Sequence, residues 1–377
     1  MAQAFDICIR GAGIVGSTLA LLLARERLRV ALVSSTAAPA PDKSDVRAYA
    51  LNATSRGMLD ALRCWPEPAL ATAVQAMRIC GDDGGEVNFS AAEQGAEALA
   101  WIVDVQALQA RLSDAVRYQP LIEPLPAPPQ EATLTVVCEG KASATRADLG
   151  VDYDVTPYHQ HAIATRLTCE KPHGQVARQW FGPDGSILAF LPLDGVQGNS
   201  VAVVWSVDEA QAPQLLALDA KDLANRLEQA SHQCMGQLEV ICERAAWPLQ
   251  LATASRWVGS FSSATPARAW ALAGDAAHTV HPLAGQGLNL GLADAAGLAQ
   301  VLREREYWRS VGDAKLLRRY ERSRKASLLA LAGATDGLQR LFARSDAATQ
   351  NLRNWGMKGF ERSGLLKSWV ARQAMGL

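Results

Sequence analysis

The N-terminal part of the chain combines a strand, a glycine motif and a helix in an order that few folds allow. An apolar run at 5–10 leads directly into Gly-x-Gly-x-x-Gly, formed by Gly11, Gly13 and Gly16, and an apolar helix and a second strand at 29–33 follow. In dinucleotide-binding units these glycines permit the turn, the approach of a pyrophosphate and the packing of helix on strand. The pattern therefore predicts an α/β fold with a dinucleotide site. The alternative is a glycine-rich turn without a nucleotide.

One element of this motif is absent. Dinucleotide sites usually carry an acidic residue for the ribose about 20 residues after the glycines, but the second strand ends Val-Ser-Ser-Thr at 33–36 and the next acid is Asp42. Ser34 or Ser35 can still hydrogen-bond the ribose without a charged acceptor, so we expect a weaker hold on the adenosine. Arg47 is a candidate for contacting the cofactor phosphates or closing the active site, and the alternative is a surface arginine.

A second glycine-rich stretch lies late in the chain. A buried-strand pattern at 270–273 is followed by Gly-Asp, with the acid at Asp275, then by Pro282 and a helix start with Gly285 and Gly287. Asp275 would accept hydrogen bonds from ligand hydroxyls at the carboxyl end of a strand, where open α/β sheets bind cofactors. Amides at a helix start attract an anionic partner, and glycines there leave room for a flat ligand. The alternative is a tight strand-to-helix connection without a ligand.

Composition restricts the remaining classes of function. The length of 377 residues suggests about two domains, and a net charge of −1 argues against a nucleic-acid partner. Seven scattered cysteines without a Cys-x-x-Cys pair predict reduced thiols in the cytoplasm, with neither a disulfide framework nor a metal site. The first apolar run is too short to span a membrane and follows no basic segment with a cleavage site, so we expect no signal peptide.

The middle and the end of the chain differ in pattern. Apolar positions at helical spacing predict a helix over 101–117, and five prolines predict a loop over 119–131. Alternating, aromatic-bearing runs between 158 and 207 predict an antiparallel sheet that floors a ligand cavity. The predicted domains are a discontinuous nucleotide-binding domain (1–75, 100–150 and 250–300), a substrate domain (76–99 and 151–249) and a helical C-terminal region (301–377).

Positive charge is concentrated in the helical end. Residues 303–325 hold nine basic and four acidic side chains. This balance is typical of a solvated helix face, and the alternatives are steering of a phosphate-bearing reductant or attraction to an anionic membrane surface. Apolar residues among basic ones at 364–377 have the pattern of an interfacial or partner-binding helix.

Three stretches, at 11–16, 139–146 and 274–291, resemble in order and spacing the flavoprotein aromatic hydroxylases, which are single-component FAD monooxygenases. Within that family the chain is most similar to the ubiquinone-biosynthesis ring hydroxylases. The closer similarity rests on stretches spread over nearly the whole chain: 158–163, 170–173, 190–193, 200–206 and 317–324. The block at 274–291 is highly specific for the family, whereas the first glycine block is common to FAD and NAD proteins.

The resemblance implies a set of cofactor-binding residues. Gly11, Gly13 and Gly16 would contact the FAD pyrophosphate, Arg47 the flavin or its phosphates, and Asp275 the ribityl chain. The residues against the isoalloxazine ring, with amides near N1 and the C2 carbonyl, would be Pro282, Gly285, Gln286, Gly287, Leu288 and Asn289, of which Pro282, Gly285, Gln286 and Gly287 would have the catalytic role. The family motif Asp-Gly-x-x-Ser-x-x-Arg, associated with both FAD and NAD(P)H, would be Glu139, Gly140, Ser143 and Arg146.

The chain departs from the family pattern at three places. Glu139 replaces the aspartate of the motif, and Ser34 stands where the ribose acid is usual. The proline-rich span 112–139 is short where relatives usually fit several strands. All three departures weaken the adenosine and reductant side, whereas the flavin-ring side is intact.

The resemblance implies an FAD-dependent monooxygenase of the α/β class, with a Rossmann-like FAD-binding domain, an antiparallel-sheet substrate domain and a helical C-terminal region. NAD(P)H would reduce the flavin, O₂ would form the C4a-hydroperoxide, and the terminal oxygen would pass to a polyprenylated phenol of ubiquinone biosynthesis, without a metal. The alternatives are a flavin hydroxylase of a small soluble phenol and a non-catalytic assembly subunit of a quinone-synthesis complex.

The sequence restricts the substrate-binding side chains and the cellular location less than it restricts the cofactor site. The candidate substrate residues are His161, Trp180, Phe190 and Trp205, although aromatic residues in such runs are more often core than cavity lining. His278 and His281 are expected to shape the loop by hydrogen bonds rather than to act in catalysis. We expect a cytoplasmic protein, and contact with the inner membrane surface or with other quinone-biosynthesis proteins is left open.

Overall fold

The computed structural model describes residues 5–34, 46–81, 84–261, 268–280 and 287–343, and beyond these residues 361, 363–364, 367–368, 371–372 and 375–376. The strands are β1 (Phe5–Arg10), β2 (Val30–Val33), β3 (Ala48–Leu51), β4 (Ala71–Val74), β5 (Ala76–Cys80), β6 (Glu86–Ser90), β7 (Ala100–Asp104), β8 (Ile122–Leu125), β9 (Ala132–Val137), β10 (Tyr153–Cys169), β11 (Val176–Phe181), β12 (Ile187–Pro192), β13 (Ser200–Asp208), β14 (Leu238–Val240), β15 (Ala245–Ala254), β16 (Val258–Ser260), β17 (Ala269–Leu272) and β18 (His278–Thr279). The helices are α1 (Ile14–Arg25), α2 (Ala53–Ala61), α3 (Val105–Arg117), α4 (Ala144–Asp148), α5 (Ala212–Ala217), α6 (Ala220–Ala230), α7 (Gly287–Arg303) and α8 (Ala314–Ala343).

The first sheet has six strands and is mostly parallel. Its order is β16-β17-β9-β1-β2-β8, and β16 is antiparallel to its neighbour. Apolar side chains of α1, α3 and α7 share one buried core with this sheet. The sheet and its helices confirm the predicted α/β class and the strand–glycine–helix unit at the start of the chain.

Glycines allow α1 and α7 to pack closely. A Cβ at Gly16 would lie 1.9 Å from the carbonyl oxygen of Gly11, and one at Gly291 would lie 2.7 Å from a methyl group of Val15. A side chain at Gly16 would push α1 away from the turn after β1, and one at Gly291 would push α7 away from α1, because a close-packed interior has no room for an added carbon. The two glycine blocks, far apart in sequence, are therefore parts of one packed unit.

The second sheet is the antiparallel one predicted from the alternating runs. Its order is β18-β15-β10-β13-β12-β11-β5-β6, with β14 beside β10, and only the pair β5–β11 is parallel. Helices α5 and α6 pack on one face of this sheet. The other face meets a three-stranded sheet of order β3-β7-β4 in a separate apolar cluster.

Two local predictions are wrong. Residues 122–125 form the edge strand β8 inside the stretch predicted as a loop, because an edge strand tolerates a proline such as Pro124, whose missing N–H removes no bond from an interior ladder. Residues 101–104 belong to β7 rather than to a helix. The helix begins at Val105, since the Asp104 side chain accepts a hydrogen bond from the N–H of Ala107 at 2.9 Å and caps it.

Between residues 287 and 343 the chain forms the helices α7 and α8, as predicted for the start of the C-terminal region. Further on, Met375 is buried against the three-stranded sheet, and the hydroxyl of Thr54 donates to the carbonyl of Gly376 at 2.6 Å. Within the part of the chain that the structure describes, no helix is both long and apolar enough to cross a bilayer. The domain boundaries given above stay a prediction.

Candidate functional site

Three sequence motifs meet at the carboxyl edge of the six-stranded sheet. Gly11 follows β1, Glu139 follows β9 and Asp275 follows β17, and these three strands are neighbours in the order β17-β9-β1. Because parallel strands end at the same edge, their following turns lie side by side, which is where open α/β sheets bind ligands. The structure thus brings together motifs that the sequence separates widely.

The glycines of the first motif have the shape that a pyrophosphate cradle requires. Gly11 has a φ of +110°, and a Cβ there would lie 2.4 Å from the carbonyl oxygen of Cys138. At Gly13, which caps α1, an added Cβ has no heavy atom of another described residue within 4 Å. The structure describes no side-chain cap at this helix start. Gly11 and Gly16 are therefore glycines for packing, and Gly13 leaves room beside free helix amides for an anion.

Ser34 and Arg47 lie near the same edge. Ser34 is exposed directly after β2, next to β1, whose following residue Gly11 donates its N–H to Val33 at 2.9 Å. Arg47 is exposed, and its Nη1 donates to the hydroxyl of Tyr49 at 3.2 Å. Its positive charge also acts on Asp275. Both residues therefore stay candidates for cofactor contacts.

Asp275 has an unusual environment for an exposed acid. The residue is exposed by area, yet the surrounding protein limits its hydration, and this burial raises the pKa of its carboxyl above the ordinary value. His278, Arg47 and Lys141 lower the pKa in part. Among the described residues none forms a hydrogen bond with this carboxylate, although the Asp275 carbonyl accepts from the hydroxyl of Tyr153 at 2.9 Å. The carboxylate is thus available to a ligand.

Glu139 organises the turn after β9. Its carboxylate accepts hydrogen bonds from Arg10 Nε at 2.9 Å, from Ser143 Oγ at 2.7 Å and from Thr145 Oγ1 at 2.6 Å. Burial would raise the pKa of Glu139, but the hydrogen bonds from Thr145 and Ser143 and the charge of Arg10 outweigh burial and lower it. In this structure the longer side chain that replaces the family aspartate binds its own loop, and Gly140 makes the turn with a φ of +81°.

Arg146 connects this motif to the Asp275 turn. The buried guanidinium donates to the carbonyl of Ala276 at 3.1 Å and to that of Lys141 at 2.8 Å, and it lies 3.6 Å from the ring centroid of Tyr153. Ser143 begins α4 by accepting from the N–H of Arg146 at 3.1 Å. The 139–146 motif therefore braces the turn after β17.

The predicted flavin-ring loop is described only from Gly287 onward. Pro282, Gly285 and Gln286, together with His281, lie outside the described residues. Gly287 begins α7, and no heavy atom of the other residues that the structure describes lies within 4 Å of an added Cβ. Leu288 is buried in the main core, so its side chain faces away from any ligand on the surface.

The Asn289 side chain holds the start of α7 to the segment before α2. Its Oδ1 accepts from the N–H of Asn52 at 3.0 Å and from Ser55 Oγ at 2.8 Å, and its Nδ2 donates to the carbonyl of Ala50 at 2.8 Å. A cofactor would therefore meet the backbone of Asn289 rather than its amide.

Three of the four candidate substrate residues belong to one apolar core. Trp180, Phe190 and Trp205 are buried in the core between the second sheet and α5–α6, with the Trp180 and Phe190 rings 5.1 Å apart. His161 is half-buried and lies on β10 two positions before Ile163, which belongs to the same core. Side chains two positions apart share a face, so all four lie on the face away from the three-stranded sheet. Their assignment to the substrate side stays a prediction.

Asp294 is the site residue that sequence reasoning missed. It is fully buried in α7 and binds Gly274, His278 and Arg324 around the Asp275 turn. His278 therefore shapes the loop by hydrogen bonding, as expected. The available signal was an acid within the apolar stretch Gly-Leu-Ala-Asp-Ala-Ala-Gly, where an unpaired carboxylate would be costly to bury.

Fold and site together define a dinucleotide-binding protein of the α/β class. A family model described as an FAD binding domain matches residues 129–333, which is more than half of the chain. The chain belongs to this family, and its cofactor is FAD.

Named relatives show which members of the family the chain is similar to. The chain is 30% identical over 410 residues to the 3-demethoxyubiquinol 3-hydroxylase of Escherichia coli, with 100% of this chain and 99% of the relative covered. It is also 30% identical over 404 residues to the ubiquinone hydroxylase UbiL of Rhodospirillum rubrum, covering 98% and 89%. These relatives confirm the resemblance to the FAD-dependent aromatic hydroxylases, and the chain is a member of that family.

A solved structure shares the fold. The p-nitrophenol 4-monooxygenase PnpA from Pseudomonas putida superposes with a TM-score of 0.74 at 17% identity, covering 100% of this chain and 99% of the other. At this identity the similarity concerns the fold alone. It agrees with the predicted combination of a Rossmann-like unit and an antiparallel sheet.

Proposed function

We propose that the protein hydroxylates the aromatic ring of a polyprenylated phenol in ubiquinone biosynthesis, with O₂ as the oxygen source and NAD(P)H as the reductant. The observation that carries the proposal is the full-length similarity to a 3-demethoxyubiquinol 3-hydroxylase. When bound, FAD supplies the chemistry that activates O₂ for transfer to an electron-rich ring.

The residues of the chain itself would bind and orient FAD. The amides at the start of α1, beside the open space at Gly13, would hold the pyrophosphate. Asp275 would accept hydrogen bonds from ribityl hydroxyls. The start of α7 at Gly287 would direct its free amides and helix dipole toward negative charge on the ring. Pro282, Gly285 and Gln286 belong to the same proposal by family resemblance.

The first glycine motif offers a paired test of this placement. Gly13→Ala should fold like the wild type but bind FAD about tenfold more weakly, because the added methyl group occupies only the space proposed for the pyrophosphate. Gly16→Ala should instead lower the free energy of unfolding by about 1–3 kcal/mol or more, because its Cβ meets the Gly11 carbonyl. Thermal melting and FAD titration measure the two effects. Unchanged FAD affinity in Gly13→Ala would show that the pyrophosphate does not bind beside Gly13.

The substrate class is tested with the reconstituted enzyme. Purified protein with FAD and NADH or NADPH is given a short-chain prenylated phenol or a simple phenol, and mass spectrometry follows ring hydroxylation while an electrode follows O₂. We expect hydroxylation coupled to O₂ consumption with the prenylated phenol. Equal turnover of the simple phenol would favour the soluble-phenol alternative, and a folded, FAD-loaded protein without product would favour the assembly subunit.

We also propose that the protein works at an anionic membrane surface, where a polyprenylated substrate would reside. The loop between α7 and α8 presents Tyr307 and Trp308, which are 93% and 66% exposed, with ring centroids 4.9 Å apart. Tyrosine and tryptophan favour the bilayer interface, because one part of each ring system is apolar and another is polar.

The segment that carries this aromatic pair is positively charged, as attraction to an anionic membrane requires. The acids Glu304 and Glu306 form ion pairs with Arg319 and Arg309. Exposed cations remain in the same segment at Arg303, Lys315, Arg318 and Arg322. Basic residues near an anionic membrane contribute about 1 kcal/mol each, so the segment favours an anionic over a neutral surface.

Vesicle binding tests this surface. The wild type should sediment with phosphatidylglycerol-containing vesicles more than with phosphatidylcholine vesicles, and Tyr307→Ser/Trp308→Ser should weaken that binding about tenfold or more. Tyr118→Ser, at an exposed ring after α3, is the matched control. FAD content should not change, because Gly312 of this loop packs near Thr133. Thr133 lies at the amino end of β9, whereas the proposed FAD site lies at the carboxyl ends of the strands. Equal sedimentation with both vesicle types would contradict the proposal.

A further inference from the structure

Asp294 is a carboxylate buried within the apolar part of α7. Its side chain is 0% exposed, and its neighbours Leu292 and Ala295 are fully buried as well. A buried carboxylate is unfavourable unless other groups pair with it and satisfy its oxygens. The groups that pair with Asp294 therefore show what this residue holds in place.

Three donors satisfy the Asp294 carboxylate. Oδ2 accepts from the N–H of Gly274 at 2.9 Å and lies 2.6 Å from His278 Nε2, and Oδ1 accepts from Arg324 Nε at 2.7 Å. Burial by itself would raise the pKa of Asp294, but His278 and Arg324 outweigh burial and hold the pKa below its ordinary value. Asp294 is therefore ionised at neutral pH.

Two of these partners stand on either side of Asp275. Gly274 begins the turn and His278 follows it, and the turn closes on itself where Ala277 donates its N–H to the carbonyl of Gly274 at 2.8 Å. The His278 ring stacks on Trp257 with centroids 5.0 Å apart. Asp294 thus holds both ends of the Asp275 turn from the side of α7.

Arg324 brings α8 into the same network. In α8, Tyr320 donates its hydroxyl to the carbonyl of Leu272, the last residue of β17, at 2.9 Å. Glu321 accepts from the N–H of Trp257 at 2.8 Å. Helix α8 therefore contacts the strand before the turn and the backbone of Trp257, the residue whose ring stacks on His278.

We propose that Asp294 and Arg324 are positioning residues for FAD, which set the place of the Asp275 turn and thereby the affinity for the ribityl part of the cofactor. The inference rests on the proposed contact between Asp275 and the ribityl chain. Neither residue needs to touch FAD, since both act through Gly274 and His278. Helix α8 then belongs to the flavin-binding unit rather than to a separate C-terminal region.

The first test measures FAD affinity and the visible circular dichroism of the bound flavin in Asp294→Asn. Asparagine keeps the shape of the side chain but cannot carry the charge that pairs with Arg324. We expect FAD binding to weaken about tenfold or more and the flavin signal to change, because the ring environment shifts with the turn. A purely structural role would lower the melting temperature and leave the flavin signal unchanged.

Asp313→Asn is the matched control. Asp313 also pairs with an arginine, Arg309, at 3.0 Å, and it accepts from the N–H of Lys315 at 2.8 Å at the start of the same helix α8. Its replacement should destabilise α8 without changing FAD affinity. An equal loss of FAD affinity in Asp313→Asn would overturn the inference, because any weakening of α8 would then have the same effect.

Three further variants make the result decisive. Arg324→Gln should weaken FAD binding in the same direction, and its combination with Asp294→Asn should weaken it by less than the product of the single effects, since both act in one network. If Asp294→Asn does not fold, Arg324→Gln supplies the measurement. If Asp275→Ala leaves FAD affinity unchanged, the ribityl contact is wrong. If Asp275→Ala weakens binding while Asp294→Asn and Arg324→Gln do not, the positioning role alone is wrong.

Discussion

Replacing Gly287 with valine should abolish NAD(P)H-dependent ring hydroxylation and the accompanying O₂ consumption while the protein stays folded. Gly287 is the first residue of α7, and an added Cβ meets no heavy atom of the other described residues within 4 Å. Valine therefore clashes with none of the described residues, and its side chain would enter the space proposed for the flavin ring. It would also move the helix amides away from negative charge on the ring. We expect turnover to fall by about 100-fold or more, measured as hydroxylated product per enzyme.

Gly57→Val is the control for this substitution. Gly57 is exposed within α2, and an added Cβ there also meets nothing within 4 Å. It should leave FAD binding and hydroxylation unchanged. Cells that depend on this protein and carry the Gly287 variant should accumulate unhydroxylated quinone precursors. Normal quinone production by these cells would contradict the catalytic assignment and favour an assembly subunit.

Asp275→Ala should lose most of the bound FAD without destabilising the apoprotein. A charge-assisted hydrogen bond contributes about 1.5–3 kcal/mol, so the loss of one such bond weakens FAD binding about 10- to 100-fold. The raised pKa of Asp275 means that its ionised form is disfavoured in the folded protein. Removing this carboxyl should therefore leave the apoprotein melting temperature unchanged or slightly higher, as expected for a residue retained for binding.

The pH dependence of FAD affinity tests the charge of Asp275 directly. Because its folded-state pKa is raised, Asp275 takes up a proton at a pH above the ordinary aspartate range, and FAD affinity should fall as the pH decreases through that raised value. Asp275→Asn should bind FAD weakly at all pH values and lose this dependence. Asp154→Ala, an exposed acid on β10, should behave like the wild type. Stoichiometric FAD in folded Asp275→Ala would place Asp275 outside the site.

The strand–glycine–helix unit could be predicted from sequence because its requirements are local. Gly11 has a φ that favours glycine, and the carbonyl oxygen of Gly11 lies where a Cβ of Gly16 would stand. Both constraints act between residues that are close in the sequence, so the spacing of the glycines is enough to predict them. The alternating runs of the second sheet are local in the same way, since side chains alternate between its two faces.

The pattern of alternation could not decide which face of the second sheet the candidate substrate residues occupy. Alternation shows which residues share a face, but both faces of the second sheet are buried, one by α5 and α6 and the other by the three-stranded sheet. The alternation of Trp180, Phe190 and Trp205 with their neighbours would look the same whichever of the two buried faces these side chains occupied. Only the packing of the other elements shows that they lie under the helices. Pro124 contributed to the wrong prediction of a loop for a related reason. A proline is excluded from interior strands but tolerated in an edge strand, and only the sheet order shows that β8 lies at an edge.

The sequence by itself determined the α/β class, the FAD family and the motifs at 11–16, 139–146 and 274–291, because each depends on short-range backbone geometry or on family resemblance. The tertiary structure alone decided how these motifs are joined. Arg146 reaches Ala276, and Asp294 connects Gly274 and His278 to Arg324 on α8. Such bonds join residues that are distant in the chain, and a buried charge acquires its partners only when the separate elements pack around it.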